Sequence, residues 1–355
     1  MLDVYMDEKM LTEWVRKYNH RNDRIGLKIR EFIRYNCNLF LDKQMNASGY
    51  HSQILTTFLQ NAKESPKPKF KEIDESLSKS AKCWSVFLLK DTNQTISGVK
   101  NLFITANENE LDKVLSELLF IREGQQKTYL LVPNHLRDTI ENKNILFDGW
   151  KSLTDDKLIP FSNIVILDPF FLEPVNYSNP KDADFDLNEH IELCIKPLIN
   201  SLTTFSIAVK FNLTVFAGYK SKESSDNAKA ILESINMFLK SKRIAINFTI
   251  VIPYKLDKHK RYFYTNYFGL NLGSSVNTIN NDSILGDKDE EIHIYPYSEE
   301  SLNEMTHQSS LITLNQLYNK IFEKGTRIFP SQRPESVVNC LLTDAFEFCK
   351  PKSQN

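Results

Sequence analysis

The chain has 355 residues, 41% of them hydrophobic and 25% charged, enough apolar material for one large or two ordinary packed domains. With 44 Lys and Arg against 45 Asp and Glu the net charge is −1, which excludes a protein that coats nucleic acid through bulk charge and confines any basic groove to a local feature. The five cysteines, Cys37, Cys83, Cys194, Cys340 and Cys349, include no CxxC pair, so they predict free thiols in a reducing compartment and neither a zinc site nor a disulfide framework. The opening MLDVYMDEKMLTEW has no basic start followed by an apolar run, so no signal peptide is expected. No segment approaches the roughly 18 uninterrupted apolar residues of a membrane span. The expectation is a soluble cytoplasmic protein with no membrane, metal or cofactor.

The first third mixes element types. LTEWVRKYNHR and RIGLKIREFIRYNCNLFLD show the three- and four-residue apolar spacing of amphipathic helices. Residues 61–81 are polar and Pro-containing, and read as a linker or exposed loop. CWSVFLLK, KNLFITA and KTYLLVP suit buried strands, with LDKVLSELLFIRE as a helix between the last two. From about residue 145 the order becomes regular: strand SNIVILDPFFL, helix LNEHIELCIKPLINSLTT bent at Pro197, strand FNLTVFAG, helix SSDNAKAILESINMFLKSK, strand AINFTIVIPYK. IHIYPY is a further strand, and EESLNEMTHQSSLITLNQLYNKIFEKG is one long or two short helices ended by Gly325. Alternating strands and helices predict an α/β fold: a C-terminal α/β/α domain over 145–350 with a mostly parallel sheet, and a mixed α/β region over 1–140. In open sheets of this kind ligands sit beyond the carboxyl ends of the strands.

Such a position is taken by HKRYFYTNYFGLNLGSSVN, residues 259–277, directly after a strand. On one extended strand His259 and Arg261 would project side by side, with Lys260 opposite and Phe263 alternating with Tyr262 and Tyr264. Gly273, Ser274 and Ser275 can turn tightly and offer backbone N–H groups and hydroxyls to an anion. Asn277 adds an amide.

These residues resemble the motif of the phospholipase D superfamily: His-x-Lys, four residues, Asp, six residues, Gly-Ser-x-x-Asn. Every spacing matches, with Arg261 where the family has Lys and Asn266 where it has Asp. The resemblance covers roughly residues 145–330. It implies metal-independent phosphodiester chemistry, in which a histidine attacks phosphorus and cations and amides bind the phosphate oxygens. Carried onto this chain, His259 is the expected nucleophile, Arg261 and Asn277 bind phosphate, and Ser274 assists. Asn266, Gly273, Ser275, Lys260 and Asp168 are expected to support the site. Arg261 keeps the charge with a different shape. Asn266 replaces an organising carboxylate that tyrosyl-DNA phosphodiesterases also do without. The domain closing microtubule-interacting-and-trafficking proteins, which is similar to the HKRYFYTNYF segment, binds rather than cuts.

The family's chemistry needs two histidines. His135, Arg137, Asn142 and Gly149 repeat the offsets of His259, Arg261, Asn266 and Gly273, which makes His135 and Arg137 a candidate second half-site, although no Ser follows Gly149. Otherwise the second histidine comes from another chain in a homodimer. Asp168, at the end of ILD, either orients His259 or caps the turn before Pro169. Lys240, Lys242, Arg243, Lys255, Lys258, Lys260 and Arg261 form either a solvated edge or a basic rim for a nucleic-acid backbone. Tyr262, Tyr264, Tyr267 and Phe268 are either base-stacking or core aromatics. Two functions are therefore expected: a phosphodiesterase of nuclease type, in a prokaryotic defence or mobile-element setting, or a degenerate relative that binds nucleic acid or a protein partner. The N-terminal region is the candidate surface for a protein partner.

Overall fold

The computed structural model describes residues 2–6, 12, 37–42, 71–73, 86–89, 103–105, 127–150, 163–173, 187–202, 211–218, 223–242, 246–257, 259–266, 268–280, 283–284, 289–297, 307–337 and 339–350. Five short strands come first: β1 (Leu2–Met6), β2 (Cys37–Asp42), β3 (Lys71–Ile73), β4 (Val86–Leu89) and β5 (Phe103–Thr105). They form one sheet in the order β3-β2-β1-β4-β5, every pair parallel. Two local expectations change here. CNLFLD is a strand rather than the end of a helix, because its branched and aromatic residues pair with β1. Residues 71–73, expected inside a linker, are an edge strand on β2. The predicted helices LTEWVRKYNHR and LDKVLSELLFIRE lie outside the described residues, Thr12 excepted.

The remaining strands are β6 (Lys127–Leu131), β7 (Asn163–Leu167), β8 (Phe211–Phe216), β9 (Ile246–Ile252), β10 (Tyr262–Tyr264), β11 (Phe268–Asn271), β12 (Ile279–Asn280), β13 (Ser283–Ile284), β14 (Glu290–Pro296) and β15 (Arg327–Phe329). All but β12 and β13, which pair with each other, join an eight-stranded sheet in the order β15-β9-β8-β7-β10-β11-β14-β6. The described helices are α1 (187–202), α2 (Glu223–Lys242), α3 (His307–Ile321) and α4 (Cys340–Cys349). The α/β class holds, but the sheet is not mostly parallel. Only β7–β8 and β8–β9 are parallel, and the other five pairings are antiparallel. A parallel pairing needs a long crossover, and α1 and α2 supply two. After β9 the connections shorten, and β10 returns through a tight turn closed by Thr265 and Phe268. β6, expected with the N-terminal region, is the edge strand beside β14.

The core follows from strand alternation. Val165, Leu167, Phe216, Val251 and Tyr264 face α3 and α4, meeting Leu311, Leu314, Leu317, Leu341 and Leu342. Ile164, Ile166, Leu213, Val215, Ile250 and Ile252 are equally buried on the other face. Successive right-handed crossovers place α1 and α2 on that side. The parallel strands begin on a ladder of asparagines. Asn247 Nδ2 donates to Asn212 Oδ1 at 2.8 Å, and Asn212 Nδ2 donates to Asn163 Oδ1 at 3.1 Å. Asn163 Oδ1 also accepts the Cys340 N–H, and the α4 cap Asn339 donates to Ile164 O and Thr214 Oγ1. No described helix is long and apolar enough to cross a membrane.

Candidate functional site

Strand register decides which motif residues meet. Tyr262 pairs with Leu167 and with Asn271, Asn271 with His293, and Glu290 with Leu131. One edge of the sheet therefore collects the carboxyl ends of β6, β7, β8, β9 and β11 and the starts of β10 and β14. His259, Lys260, Arg261, Asp168, Gly273, Ser274, Ser275 and Asn277 all lie at that edge. Asn266 does not. It follows β10, at the opposite end, where its Oδ1 accepts the Asn163 N–H at 3.0 Å. It is fully buried and braces the start of β7, at the far end of β10 from His259.

The side-by-side projection of His259 and Arg261 fails for a physical reason. Strand β10 begins only at Tyr262, and the chain before it turns, with Asp257 Oδ1 accepting the His259 N–H at 3.0 Å. His259 and Lys260 are exposed, whereas Arg261 turns inward. Its Nη1 donates to Gly273 O at 3.0 Å, and its guanidinium lies 5.1 Å from the Phe170 ring centroid. Gly273 is required by its backbone. It sits at φ 62, and a Cβ there would come within 3.0 Å of Glu291 O. The half-buried Ser274 closes this turn, its N–H donating to Leu272 O.

Asp168 ties the two walls of the site together. Its Oδ1 accepts the Phe170 N–H at 3.0 Å, capping the turn at Pro169. Its Oδ2 accepts Ser275 Oγ–H at 2.6 Å and the Val276 N–H at 2.7 Å. Of its two expected roles, turn capping is the one its bonds make. Burial pushes the carboxyl pKa up, while the three donors and the nearby Arg261 charge pull it down. Asn277 crosses the same gap, donating from Nδ2 to Phe170 O at 2.9 Å and to Glu173 O.

The 168–173 loop is thus held at successive carbonyls. Gly218 N–H donates to Pro169 O, Asn227 Nδ2 to Leu172 O, and the His190 ring N–H at Nε2 to Phe171 O at 3.2 Å. Gly218 permits this approach, because a Cβ there would fall 2.5 Å from Pro169 O. His190 is the residue that motif reasoning missed. It is fully buried, and burial pulls its pKa down to about 4. One signal could have found it: it shares the apolar face of LNEHIELCIKPLI with Ile191, Cys194 and Leu198.

His135 and Arg137 lie at the same edge, just past β6, but three strands across from β10. Inter-strand steps of roughly 4.8 Å put the two strand roots about 14 Å apart. Arg137 is engaged locally with Phe147 O at 3.0 Å and Asp148 at 3.7 Å. Tyr264 and Phe268 are core residues, 0% and 1% exposed, rather than a stacking platform. Tyr262 packs against the core cluster of α3 and α4, and Tyr267 lies outside the described residues. The expected basic rim divides. Lys255 and Lys260 are exposed at the site edge, whereas Lys240 and Lys242 end α2 at the opposite edge; Arg243 and Lys258 lie outside the described residues. Among the described residues no group of three or more His, Cys, Asp or Glu could hold a metal ion. Compared with known proteins, the chain matches no family model and no curated protein.

Proposed function

We propose that this chain is a phospholipase D-like binding protein, in which the motif has become an internal clasp beneath a small cationic surface for a nucleic-acid backbone. The observation that carries the reading is where the motif's polar groups point. Arg261, Ser275 and Asn277 donate to Gly273 O, Asp168, and Phe170 O and Glu173 O, and Asn266 accepts from Asn163. In the family the equivalent cation and amide grip phosphate oxygens. Here they grip the protein, while His259, Lys255 and Lys260 stay exposed above them. Two exposed lysines and one imidazole suit weak phosphate binding with few ionic contacts.

The test is fluorescence anisotropy with a labelled single-stranded oligonucleotide, beside an EDTA-resistant hydrolysis assay. The expected outcome is a dissociation constant of roughly 10⁻⁴ to 10⁻⁶ M with a shallow salt slope, and no hydrolysis. The exposure of His259 favours one second reading, a phosphodiesterase that borrows a second His259 from another copy across a homodimer two-fold. Chelator-resistant cleavage, lost in His259→Ala, would replace the binding reading with that one.

A further inference from the structure

Helix α1 contains one wide turn. Over Ile191–Ile195 its hydrogen bonds take the π spacing, and the Lys196 N–H closes the turn on Ile191 O. A π turn inserts one extra residue into a helix, and such turns gather at functional sites. Here two side chains of that turn reach the two walls of the site. His190, which caps the turn, donates its Nε2–H to Phe171 O on the 168–173 wall. A carbonyl can only accept, so this bond fixes the Nε2–H tautomer. Four residues on, Cys194 Sγ–H donates to Ile279 O at 3.0 Å and lies 3.6 Å from Asn277 O, on the 275–279 wall. Both side chains are fully buried.

We infer that the π turn is the positioning element of the phosphate site, with His190 and Cys194 as positioning residues that hold its walls at one separation. That functional role rests on the phosphate-binding reading. Arg261 is seated between these walls, stacked on Phe170 from one and bonded through Nη1 to Gly273 ahead of the other. The wide turn absorbs its extra residue, so deleting one lets it close to ordinary α spacing and leaves His190 three rather than four positions ahead of Cys194, which turns one side chain relative to the other. The far end is anchored by Leu198 and Ile199, both in the core. The shift therefore falls on His190, which would swing away from Phe171 O, and the loop carrying Phe170 would lose its hold.

Full-length wild type, a deletion of the exposed Glu192, His190→Leu, His190→Gln, Cys194→Val and Cys194→Ser are compared by amide hydrogen exchange without ligand and by oligonucleotide anisotropy. His190→Leu is expected to speed exchange at 168–173, and Cys194→Val at 275–279, each by about tenfold beyond the chain-wide change. His190→Gln and Cys194→Ser, which keep a donor, should return exchange toward wild type, and the Glu192 deletion should loosen both walls. Oligonucleotide affinity should fall about tenfold with each loosened wall, as Arg261 loses its seat and the neighbouring Lys260 its position, at a nearly unchanged salt slope because the walls themselves contact no phosphate. If the deletion does not fold, the four point variants decide. Uniform acceleration across the chain, or walls unchanged in His190→Leu and Cys194→Val, would overturn the positioning role. If the walls respond as expected but wild type binds no oligonucleotide at low salt, the phosphate-binding reading fails and the structural role of the turn stands.

Discussion

His190 ties the site to acid stability. Unfolded, its imidazole takes a proton near pH 6.5; folded, burial holds that back to about pH 4. The unfolded chain binds the proton first, so the contribution is complete above pH 6.5 and is lost as pH falls toward 4, by about 3 kcal/mol in all. Asp168 acts in the opposite sense, because burial raises its pKa in the fold and folding then favours its protonated form as pH falls through the raised value. Urea unfolding of wild type minus His190→Gln, from pH 7 to pH 4, isolates the first effect, and a flat difference would contradict it. Arg261→Ala removes the Gly273 bond, the Phe170 stack and a cation near Asp168, with an expected cost of about 1–3 kcal/mol in the same assay. Arg261→Lys should recover only part of that, since an ammonium restores the charge without the planar fork. The place of residues 259–277 at the edge beyond β9 was legible, because the stretch directly follows a strand. The directions of its side chains were not, because His259 and Arg261 lie in a turn ahead of β10, where strand alternation does not apply.

At the scale of elements, SNIVIL, FNLTVF and INFTIV each carry an asparagine near the start of a strand, a residue type that strands otherwise disfavour. The sequence displays all three. Their purpose appears only with the register that aligns Asn163, Asn212 and Asn247. Asn212→Ala leaves the Asn247 donor and the Asn163 acceptor short of a bond, and a destabilisation of about 1–3 kcal/mol is expected from the denaturant midpoint. Gly218→Ala forces Pro169 away from the end of β8. The expected outcome is lower thermal stability together with faster amide exchange across 168–173. Stability loss without that local signature would show that the loop can follow the new methyl. The strands and helices from β7 to β9 were readable because apolar period and length agreed there. The π turn in α1 was not, since Ile191, Cys194, Ile195, Leu198 and Ile199 keep the ordinary three- and four-residue spacing through it, and Pro197 offered a more obvious place for a bend.

Across the whole molecule, topology sorts charges that sequence proximity had grouped. Lys240 and Lys242 precede β9 while Lys255 and Lys260 follow it, so the length of a strand separates them. Under the proposed binding, charge reversal at Lys255 and Lys260 should weaken oligonucleotide affinity and flatten its salt slope, while reversal at Lys240 and Lys242 should leave both unchanged. Equal losses from the two pairs would point to binding without a defined surface. The α/β class was legible from alternating elements, but the five antiparallel pairings were not, because short connections do not reveal which neighbour a strand will choose. The outermost pairing shows this most plainly, since residues 127–131 meet residues 290–294. During synthesis KTYLL emerges some 160 residues before its partner, an apolar, β-prone segment that must wait unpaired. A fragment beginning at residue 145 would reverse the difficulty and leave β14 as an open edge for other chains to extend. Such a fragment should self-associate in sedimentation or light scattering, where one that begins ahead of residue 127 should not. The rim of this sheet is sealed by a stretch of chain made long before it.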